Sequence, residues 1–555
     1  MKSECNKMGT AENNYLLYGG EVCDNLAKRY KSLGEFYYHK LQDEANEAEI
    51  IDAKSGQRVT REEMRIGAEH LAEFLKQNGV QTGDVVTTLS ENRLEFPVVI
   101  FSVFYCGASL NALSPYYTEN EISHALKIVQ PKIIFLTPVV LDRVRKVLQE
   151  LNLKSVVIKF DEENLENSKE NHVLNFRDIM RDIKYRPKTE IVPVKVNPES
   201  DVAFILMSSG TTGLPKCVQI SHKNVLSMFS GTIYIFTDFR ERRDNVLLIT
   251  PWVHTFGLMA MLRLVACGVR TISIQGFQEK FYLQTIEDYK VSVCFVAPAL
   301  MVFFSKATIL DQYNLLTLRT IYSGGAPLSK DIVEGIIKRL PNVKVIYNGY
   351  GLTETSAGIL HANSSINKLN SIGVLYRGAW GKVINPESGK ALPPNTPGEL
   401  CFKGDQIVLG YRGNAEATKN LIDPDGWLHS GDIGYYNEGR EFFIIGRSKE
   451  VIKYKGFQVP PVELETVLLS HPKVRDAAVI GIPDEIAGEL PMALVVRNTG
   501  VEVSDKELVD FVNSKVSHPK KLRGGVKFIS KVSRNVNGKI MRQELKSRFG
   551  MMSKL

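Results

Sequence analysis

Residues 84–137 read DVVTTLSENRLEFPVVIFSVFYCGASLNALSPYYTENEISHALKIVQPKIIFLT. Short runs rich in β-branched residues alternate here with longer apolar runs, which predicts the order strand, helix, strand, helix, strand. Thr118 followed by Glu121 forms a capping box that marks the start of the second helix. Strands that alternate with helices pair in parallel, so the segment predicts a doubly wound α/β unit.

Two further regions follow this unit. A second series of strands and helices runs from VLLITP at 246–251 to LRTIYSGG at 318–325, and predicts a second doubly wound sheet. Between about Ile366 and Phe443 short β-rich pieces are separated by Pro and Gly, which is typical of a small barrel or sheet. The last hundred or so residues, beyond Gly446, predict a separate α+β domain with a helix capped by Ser504 and Glu507.

Composition restricts the class of protein. With 555 residues, 44% hydrophobic and 24% charged, the chain predicts two to four globular domains and excludes disordered, collagen-like and coiled-coil classes. The net charge of +7, from 69 basic and 62 acidic residues, is too dilute for a nucleic-acid surface, and we expect the basic run 515–523 to be solvated. The uncharged stretch 96–118 contains Gly and polar residues, so it predicts a buried helix followed by a strand or loop, with no membrane span.

Cysteine usage and the two termini indicate the compartment. The seven cysteines occur singly, without a CxxC pair or zinc-ligand spacing, which favours a reducing compartment and no structural metal. The first residues, MKSECNKMGTAENN, contain no apolar signal-peptide region. The chain ends in Ser553-Lys554-Leu555, the tripeptide that peroxisomal import receptors bind, so we expect a peroxisomal enzyme.

A candidate phosphate site lies at DVAFILMSSGTTGLPK, residues 201–216. An apolar strand ends there in a loop of glycines and hydroxyl residues that closes with Lys216, and such a loop lets backbone and side-chain donors approach an anion. The spacing differs from a Walker loop, because Pro215 precedes the lysine. On these residues alone, a mobile surface turn is an equally good interpretation.

A candidate magnesium site lies at YNGYGLTET, residues 347–355. Thr353 and Glu354 offer oxygen ligands, which Mg²⁺ prefers. Such an ion would be bound mainly by nucleotide phosphates and water. The alternative is a strand-to-turn connection with a solvated glutamate.

Two further segments, residues 426–465 and NVNGKIMRQELK at 535–546, complete a set of four. Together the four resemble, in order and over nearly the whole chain, the signature motifs of the adenylate-forming superfamily of acyl-CoA synthetases, 4-coumarate-CoA ligases and beetle luciferases. SGGAPLSK, DGWLHSGDIGYY, IKYKGFQV, AGELP, KKLRGGV and the terminal SKL resemble most closely the insect luciferase-like fatty acyl-CoA synthetases. The resemblance implies an N-terminal ATP- and acyl-binding domain (1–446), a hinge (447–450) and a mobile C-terminal lid (451–555).

The resemblance also implies a role for each motif residue. The phosphate loop is Ser208, Ser209, Gly210, Thr211, Thr212, Gly213 and Lys216. Adenine is framed by Gly324, Gly325, Ala326, Pro327, Asn348, Gly349, Tyr350 and Gly351, with Tyr350 stacking on the base. Thr353 and Glu354 serve the α-phosphate and Mg²⁺, while Asp432 grips the ribose hydroxyls and Arg447 lies beside it.

The same resemblance assigns the acyl and CoA steps. Lys539 bridges the acyl carboxylate and the α-phosphate, and Lys449 is the hinge residue. Lys453, Lys455, Gly456 and Gln458 lie on the opposite, thioester-forming face of the lid, so the lid presents two faces in turn. His254 stands at the mouth of an acyl pocket, where it orients or acts on the carboxylate, and the pocket is lined by Phe256, Gly257, Ala260, Gly325 and Ala357.

Four positions depart from beetle luciferases. Met228, Val253, Ala260 and Ala357 stand where those enzymes carry Arg, His, Thr and Ser, and Cys217 replaces the usual Gly after the loop lysine. Each of the four changes predicts a less polar pocket, which favours an aliphatic chain because no buried donor is stranded against methylenes. We therefore expect a fatty acyl-CoA ligase that uses ATP, Mg²⁺ and CoA. A luciferase, a 4-coumarate-type ligase and a binding protein without catalysis are the alternatives.

Overall fold

A computed structural model of the chain supplies the fold. It describes residues 15–160, 173–187, 190–208, 215–232, 236, 239, 243–324, 330–361, 371–447, 450–455, 457–484, 486–534 and 540–549. Four sheets organise these residues, and we name them the first, second, third and fourth sheet in the order given below.

The first sheet has eight strands. In spatial order they are Gly410–Tyr411, Lys216–Ser221, Val202–Ser208, Ser109–Leu113, Val85–Leu89, Ile133–Leu136, Val156–Lys159 and Val173–Asn175. The six strands from Val202–Ser208 onward are parallel, and the two at the other edge are antiparallel. The central strands are buried on both faces, as parallel sheets covered by helices require.

The second sheet has nine strands. In spatial order they are Val374–Leu375, Leu360–His361, Val345–Tyr350, Thr320–Gly324, Val293–Val296, Asn245–Leu248, Arg270–Ser273, Glu49–Asp52 and Arg58–Thr60. The six strands from Val345–Tyr350 to Glu49–Asp52 are parallel, with antiparallel strands at both edges. The sheet therefore places the ends of several parallel strands, including Gly324 and Tyr350, along one edge.

The third and fourth sheets are smaller. The third is antiparallel and contains Leu17–Tyr18, Trp380–Ile384, Gly398–Lys403, Leu428–Tyr436 and Phe442–Arg447. The fourth, in the C-terminal region, contains Phe457–Val459, Ile452–Tyr454, Gly488–Arg497 and Val474–Asp484, with Val526–Phe528 added in parallel.

Helices cover these sheets. In the N-terminal region they are Leu26–Arg29, Leu33–Gln42, Arg61–Gln77, Glu95–Tyr105, Glu119–Val129, Leu141–Glu150, Phe176–Arg181, His222–Ser230, Thr255–Cys267, Glu279–Asp288, Pro298–Lys306, Lys330–Arg339 and Ala415–Leu421. In the C-terminal region they are Pro461–Leu469, Asp505–Asn513 and Arg542–Phe549. No helix among the described residues combines the length and apolarity needed to cross a bilayer.

The structure agrees with the predicted fold class of two doubly wound sheets, a small β-rich unit and an α+β C-terminal domain. The strands and helices expected between residues 84 and 137 form, and Thr118 and Glu121 make the predicted capping box. Ser504 caps its helix by accepting from the Glu507 backbone N–H. The uncharged stretch 96–118 folds as predicted into a buried helix and the buried strand Ser109–Leu113.

Candidate active site

The phosphate loop begins and ends at two paired strand positions. Ser208 closes the buried strand Val202–Ser208, and Lys216 opens the next strand directly opposite it. The loop residues between them, Ser209 to Gly213, lie outside the described residues. The loop therefore starts at the end of a parallel strand, where pairing in the first sheet changes from parallel to antiparallel. Ligand sites in α/β sheets usually lie at the carboxyl ends of parallel strands.

Tyr411 joins the phosphate-loop strands to Glu354. Its hydroxyl donates a hydrogen bond to Glu354 Oε1 at 2.8 Å, and the Lys216 ammonium lies 4.6 Å from the centre of its ring. Burial, and then the Glu354 charge, raise the pKa of the Tyr411 hydroxyl well above its usual range, so it remains a donor at neutral pH. The glutamate predicted to serve Mg²⁺ is thus oriented by a tyrosine.

A tight turn positions Thr353 and Glu354. A Cβ added at Gly351 would lie 1.5 Å from the carbonyl oxygen of Ala357, so only glycine allows the chain to close on itself here. Ala357 adopts φ of 102°, in a region that L-residues rarely occupy. Strained backbone of this kind is concentrated at functional sites, where the surrounding structure maintains it.

A buried charged group lies beside this turn. Arg447 Nε lies 3.0 Å from Asp432 Oδ1, and the Tyr350 hydroxyl donates to Asp432 Oδ2 at 2.6 Å. Asp432 and Arg447 face each other on paired strands of the third sheet. Burial is the largest single effect and opposes the charge of Arg447, but Asp432 and the neighbouring Tyr350, Glu450 and Glu354 together raise the pKa of the guanidinium above its usual value. The predicted adenine and ribose residues therefore meet at one carboxylate.

Asn348 precedes this group on the strand Val345–Tyr350. It is buried, and its Oδ1 has no hydrogen-bond partner among the described residues. A buried acceptor without a partner is costly, and an amide oxygen is the complement of an exocyclic amine such as that of adenine. The orphaned oxygen thus fits the predicted adenine site.

His254 stands at the start of the helix Thr255–Cys267, in the N-cap position. Its Nε2 is shielded from solvent and has no hydrogen-bond partner among the described residues. Burial lowers the pKa of the imidazole to about 4, so His254 is neutral at pH 7. A neutral imidazole with an unused nitrogen can exchange a hydrogen bond with a substrate.

The same helix carries three residues predicted to line an acyl pocket, Phe256, Gly257 and Ala260. Phe256 and Ala260 lie one turn apart, and a Cβ at Gly257 would lie 2.3 Å from the carbonyl oxygen of Pro251, so glycine allows the close approach. Met228, Val253 and Ala260 are buried, as expected for an apolar wall.

A buried donor also lies beside this helix wall. The guanidinium of Arg263, two turns along the helix, donates through Nη2 to the backbone oxygen of Met228 at 3.2 Å and also contacts Met228 Sδ. Arg263 is 8% exposed. Arg263 thus places a buried guanidinium beside Met228, a contact that only the packing of the two helices reveals.

The C-terminal region supplies a hairpin and a buried ion-pair cluster. In the hairpin, Lys453 and Gln458 are directly opposite in backbone register, and Lys455 at the turn is exposed with a φ of 46°. Arg542 pairs with Glu450 at 2.5 Å and with Glu465 at 2.7 Å. These pairs connect Glu450, which follows the predicted hinge, to the helix Arg542–Phe549.

Several predicted site residues lie outside the described residues. They are Ser209, Gly210, Thr211, Thr212, Gly213, Gly325, Ala326, Pro327, Lys449, Gly456, Lys539 and the terminal Ser553-Lys554-Leu555. Those that the structure does bring together are Ser208, Lys216, Asn348, Gly349, Tyr350, Gly351, Thr353, Glu354, Asp432 and Arg447. Sequence reasoning missed Tyr411 and Arg263. Arg263 could have been noticed as the single arginine in the otherwise apolar helix sequence MAMLRLVAC.

The donor set also fits a magnesium ion. Glu354 offers a carboxylate whose orientation is fixed by Tyr411, and Thr353 precedes it in the same 3₁₀ turn. Oxygen ligands of this kind hold Mg²⁺ together with substrate phosphates.

Comparison with known proteins places this geometry in a family. Residues 38–412 match the AMP-binding enzyme family, and residues 463–539 match the AMP-binding enzyme C-terminal domain. The chain is 38% identical to luciferin 4-monooxygenase of Photuris pensylvanica over 97% of this chain and 98% of that protein. It is 37% identical to peroxisomal OPC-8:0-CoA ligase 1 of Arabidopsis thaliana over 89% of each.

A solved structure supports the fold. ATP-bound MatB from Rhodopseudomonas palustris superposes with a TM-score of 0.81 at 23% identity, over 94% of this chain and 99% of that one. The family match and the CoA-ligase relative support the predicted enzyme class, an AMP-forming acid–thiol ligase. This chain therefore belongs to the AMP-binding, adenylate-forming enzyme family.

Proposed function

We propose that the protein is an ATP-dependent fatty acyl-CoA ligase. In the first half-reaction an oxygen of the fatty acid carboxylate attacks the α-phosphorus of ATP, and the bond to pyrophosphate breaks. In the second the thiolate of CoA attacks the acyl carbon, and AMP leaves with the bridging oxygen. The cluster of Tyr350, Asp432 and Arg447 beside Glu354 is the observation that carries the first step.

Each described residue has a physical task in this reaction. Each carboxylate oxygen has two lone-pair sites, so Asp432 can accept ribose hydroxyls while keeping Tyr350 and Arg447. The Lys216 cation and the phosphate loop meet the terminal phosphates. Glu354, with Thr353, holds Mg²⁺, which supplies charge neutralisation on the phosphates when bound.

We assign binding of the fatty acid to His254 and to the helix Thr255–Cys267 that follows it. The neutral imidazole can donate to or accept from the substrate carboxylate through Nε2 without adding charge beside the nucleophile. The buried apolar residues Met228, Val253 and Ala260 support an aliphatic tail over a heteroaromatic acid.

The lid residues complete the proposal. We assign Lys539 to the adenylation face, Lys449 to the hinge, and Lys453, Lys455, Gly456 and Gln458 to the thioester face. The register of Lys453 opposite Gln458 supports their action on a common surface. Domain boundaries at 446 and 451, with rotation of the lid between the two steps, belong to this proposal.

A peroxisomal location is also proposed. It rests on the terminal Ser553-Lys554-Leu555 and on a relative whose name carries that location, the peroxisomal OPC-8:0-CoA ligase 1. Extending the chain beyond Leu555 by a few residues is expected to leave the protein in the cytosol. Continued import of the extended protein into peroxisomes would show that a different targeting signal is used.

Fatty acid, 4-coumarate and luciferin are the substrates to compare. The test supplies ATP, Mg²⁺ and CoA with a panel of C6 to C20 fatty acids or 4-coumarate, and measures AMP and acyl-CoA. A parallel reaction with luciferin measures photons. Fatty acyl-CoA formation with little light supports the ligase. Strong light, or adenylation without thioester, would favour the second candidate, a luciferase, which the 38% identity over nearly the whole chain supports.

A further inference from the structure

Arg263 is a buried cation without an acidic partner. None of the described Asp and Glu residues forms an ion pair with it, and its contacts are the Met228 oxygen and sulfur, the Tyr376 hydroxyl and the rings of Phe229 and Phe236. Its Nε has no hydrogen-bond partner among the described residues. The buried Nε therefore lacks an acceptor, and a buried donor of a charged group without an acceptor is unfavourable.

The position of Arg263 connects it to the proposed acyl pocket. Phe256, Ala260 and Arg263 follow the i, i+4, i+7 spacing that places residues on one face of a helix. At 1.5 Å per residue, Arg263 lies about 13 Å along the axis from His254 at the carboxylate end. This face of the helix therefore has Phe256 near the proposed carboxylate position and the Arg263 guanidinium at its far end.

Two further contacts connect Arg263, through Tyr376, to the turn that carries Glu354. Its partner Tyr376 packs against Gly358, where an added Cβ would lie 2.5 Å from the tyrosine hydroxyl oxygen. Gly358 directly follows Ala357, the strained residue of the turn that carries Glu354. A narrow cavity with room for about one water molecule adjoins the guanidinium, and its lining is Phe36, Phe229, Phe236, Arg263, Ala266 and Cys267.

We propose that Arg263 is a specificity residue that selects acids whose far end carries an oxygen acceptor, an ω-carboxylate or an ω-hydroxyl. The acceptor would pair with the unused Nε of the guanidinium, whereas a plain alkyl tail would leave that donor without a partner. This inference rests on the proposed function and refines its substrate class. Hydrogen bonds to a charged group discriminate by about 10- to 100-fold between acids with and without the acceptor.

Binding of inert adenylate mimics tests the inference without turnover. Sulfamoyl-adenosine analogues with decanoyl, 10-hydroxydecanoyl and 9-carboxynonanoyl tails are titrated by calorimetry into the full-length protein. We expect the two oxygen-bearing tails to bind about 10-fold or more tightly than the decanoyl tail. Equal or weaker binding of both would overturn the proposal, and this comparison needs no variant.

Two substitutions then locate the effect. Arg263→Met is expected to abolish the preference while keeping or improving binding of the decanoyl analogue. Arg270→Met, at an exposed arginine paired with Glu49 on the next strand, is expected to leave the preference unchanged. Retention of the preference in Arg263→Met would overturn the assignment. Should Arg263→Met not fold, Arg263→Lys, which keeps the charge, is expected to retain a reduced preference.

Turnover separates this inference from the proposed function. The wild-type enzyme is supplied with decanoate, 10-hydroxydecanoate and decanedioate at matched concentrations, and kcat/KM for acyl-CoA formation is compared. Higher kcat/KM for the two oxygen-bearing acids supports both ideas. Equal values for all three acids would contradict the selection by Arg263 and leave the ligase intact. Tail-dependent binding of the analogues with no acyl-CoA from any acid would contradict the ligase and leave the subsite intact.

Discussion

The Tyr350 hydroxyl donates a hydrogen bond to Asp432 Oδ2 at 2.6 Å, across 82 residues of sequence and between two different sheets. Arg447 Nε occupies the other oxygen of the same carboxylate at 3.0 Å. Asp432 is only 3% exposed, and both donors stabilise its charge. The ring proposed to stack on adenine and the carboxylate proposed to hold ribose are therefore positioned together.

Tyr350→Phe tests this coupling. The ring remains available for stacking, but one donor to the buried carboxylate is lost, so we expect KM for ATP to rise about 10-fold, in proportion to a hydrogen bond to a charged group. Initial rates of pyrophosphate release at varied ATP provide the measurement. Tyr435→Phe, three residues beyond Asp432, is the control and should leave KM unchanged. An unchanged KM in Tyr350→Phe would show that Asp432 is positioned without the tyrosine.

Tyr411→Phe tests the orientation of Glu354. The variant keeps the ring on which the Lys216 cation rests but removes the donor to Glu354 Oε1. We expect the rate of adenylation to fall about 10-fold and the Mg²⁺ concentration for half-maximal rate to rise, because the carboxylate loses its fixed orientation. Single-turnover formation of acyl-adenylate across a Mg²⁺ series measures both. A fall in rate with no change in Mg²⁺ dependence would place Glu354 away from the metal.

Two lysines test the lid. We expect Lys539→Ala to abolish adenylate formation but to spare thioester formation from supplied acyl-adenylate, because the lost cation meets charge that develops only in the first step. Lys453→Ala should do the reverse and mainly slow the CoA step. Each variant is the control for the other in single-turnover assays of the two half-reactions. Equal losses in both half-reactions would refute a lid with two faces.

The local structure was largely predictable from sequence, because it is set by short-range patterns. Capping at Thr118 and the alternation of apolar strands and helices in residues 84–137 depend on neighbours a few positions apart. The strands of residues 84–137 could therefore be predicted from hydrophobic periodicity. The spatial order of the strands within each sheet could not, because it depends on packing between distant segments.

The site was predictable where the residues of one motif act together, and less so where partners come from elsewhere. Glu354 could be chosen from its motif, but its donor Tyr411 lies 57 residues away on an edge strand. Arg263 illustrates the same limit, because the polar character of positions 228, 253, 260 and 357 says nothing about a side chain that reaches Met228 from position 263. The helix His222–Ser230 packs so that the guanidinium of Arg263, from another helix, contacts Met228.

His222 makes stability depend on pH. It is fully buried, its Nδ1 accepts a hydrogen bond from the Leu33 backbone N–H at 3.1 Å, and burial lowers the pKa of the imidazole to about 4. The unfolded chain, with a histidine pKa of about 6.5, binds the proton more readily, so the free energy of unfolding falls as pH drops from 6.5 toward 4. Full protonation of this one site costs about 3 kcal/mol.

His222→Asn removes the titration while retaining an acceptor that can reach Leu33. Between pH 6.5 and 5 we expect the wild-type protein to lose roughly 2 kcal/mol more than the variant, because the unfolded state gains one proton that the folded state excludes. Urea unfolding at the two pH values, followed by fluorescence, measures the shift in midpoint. His39→Asn, at an exposed histidine of the helix Leu33–Gln42, should behave like the wild type. Parallel pH profiles for His222→Asn and the wild type would mean that His222 binds protons equally in the folded and unfolded states, and would contradict the prediction.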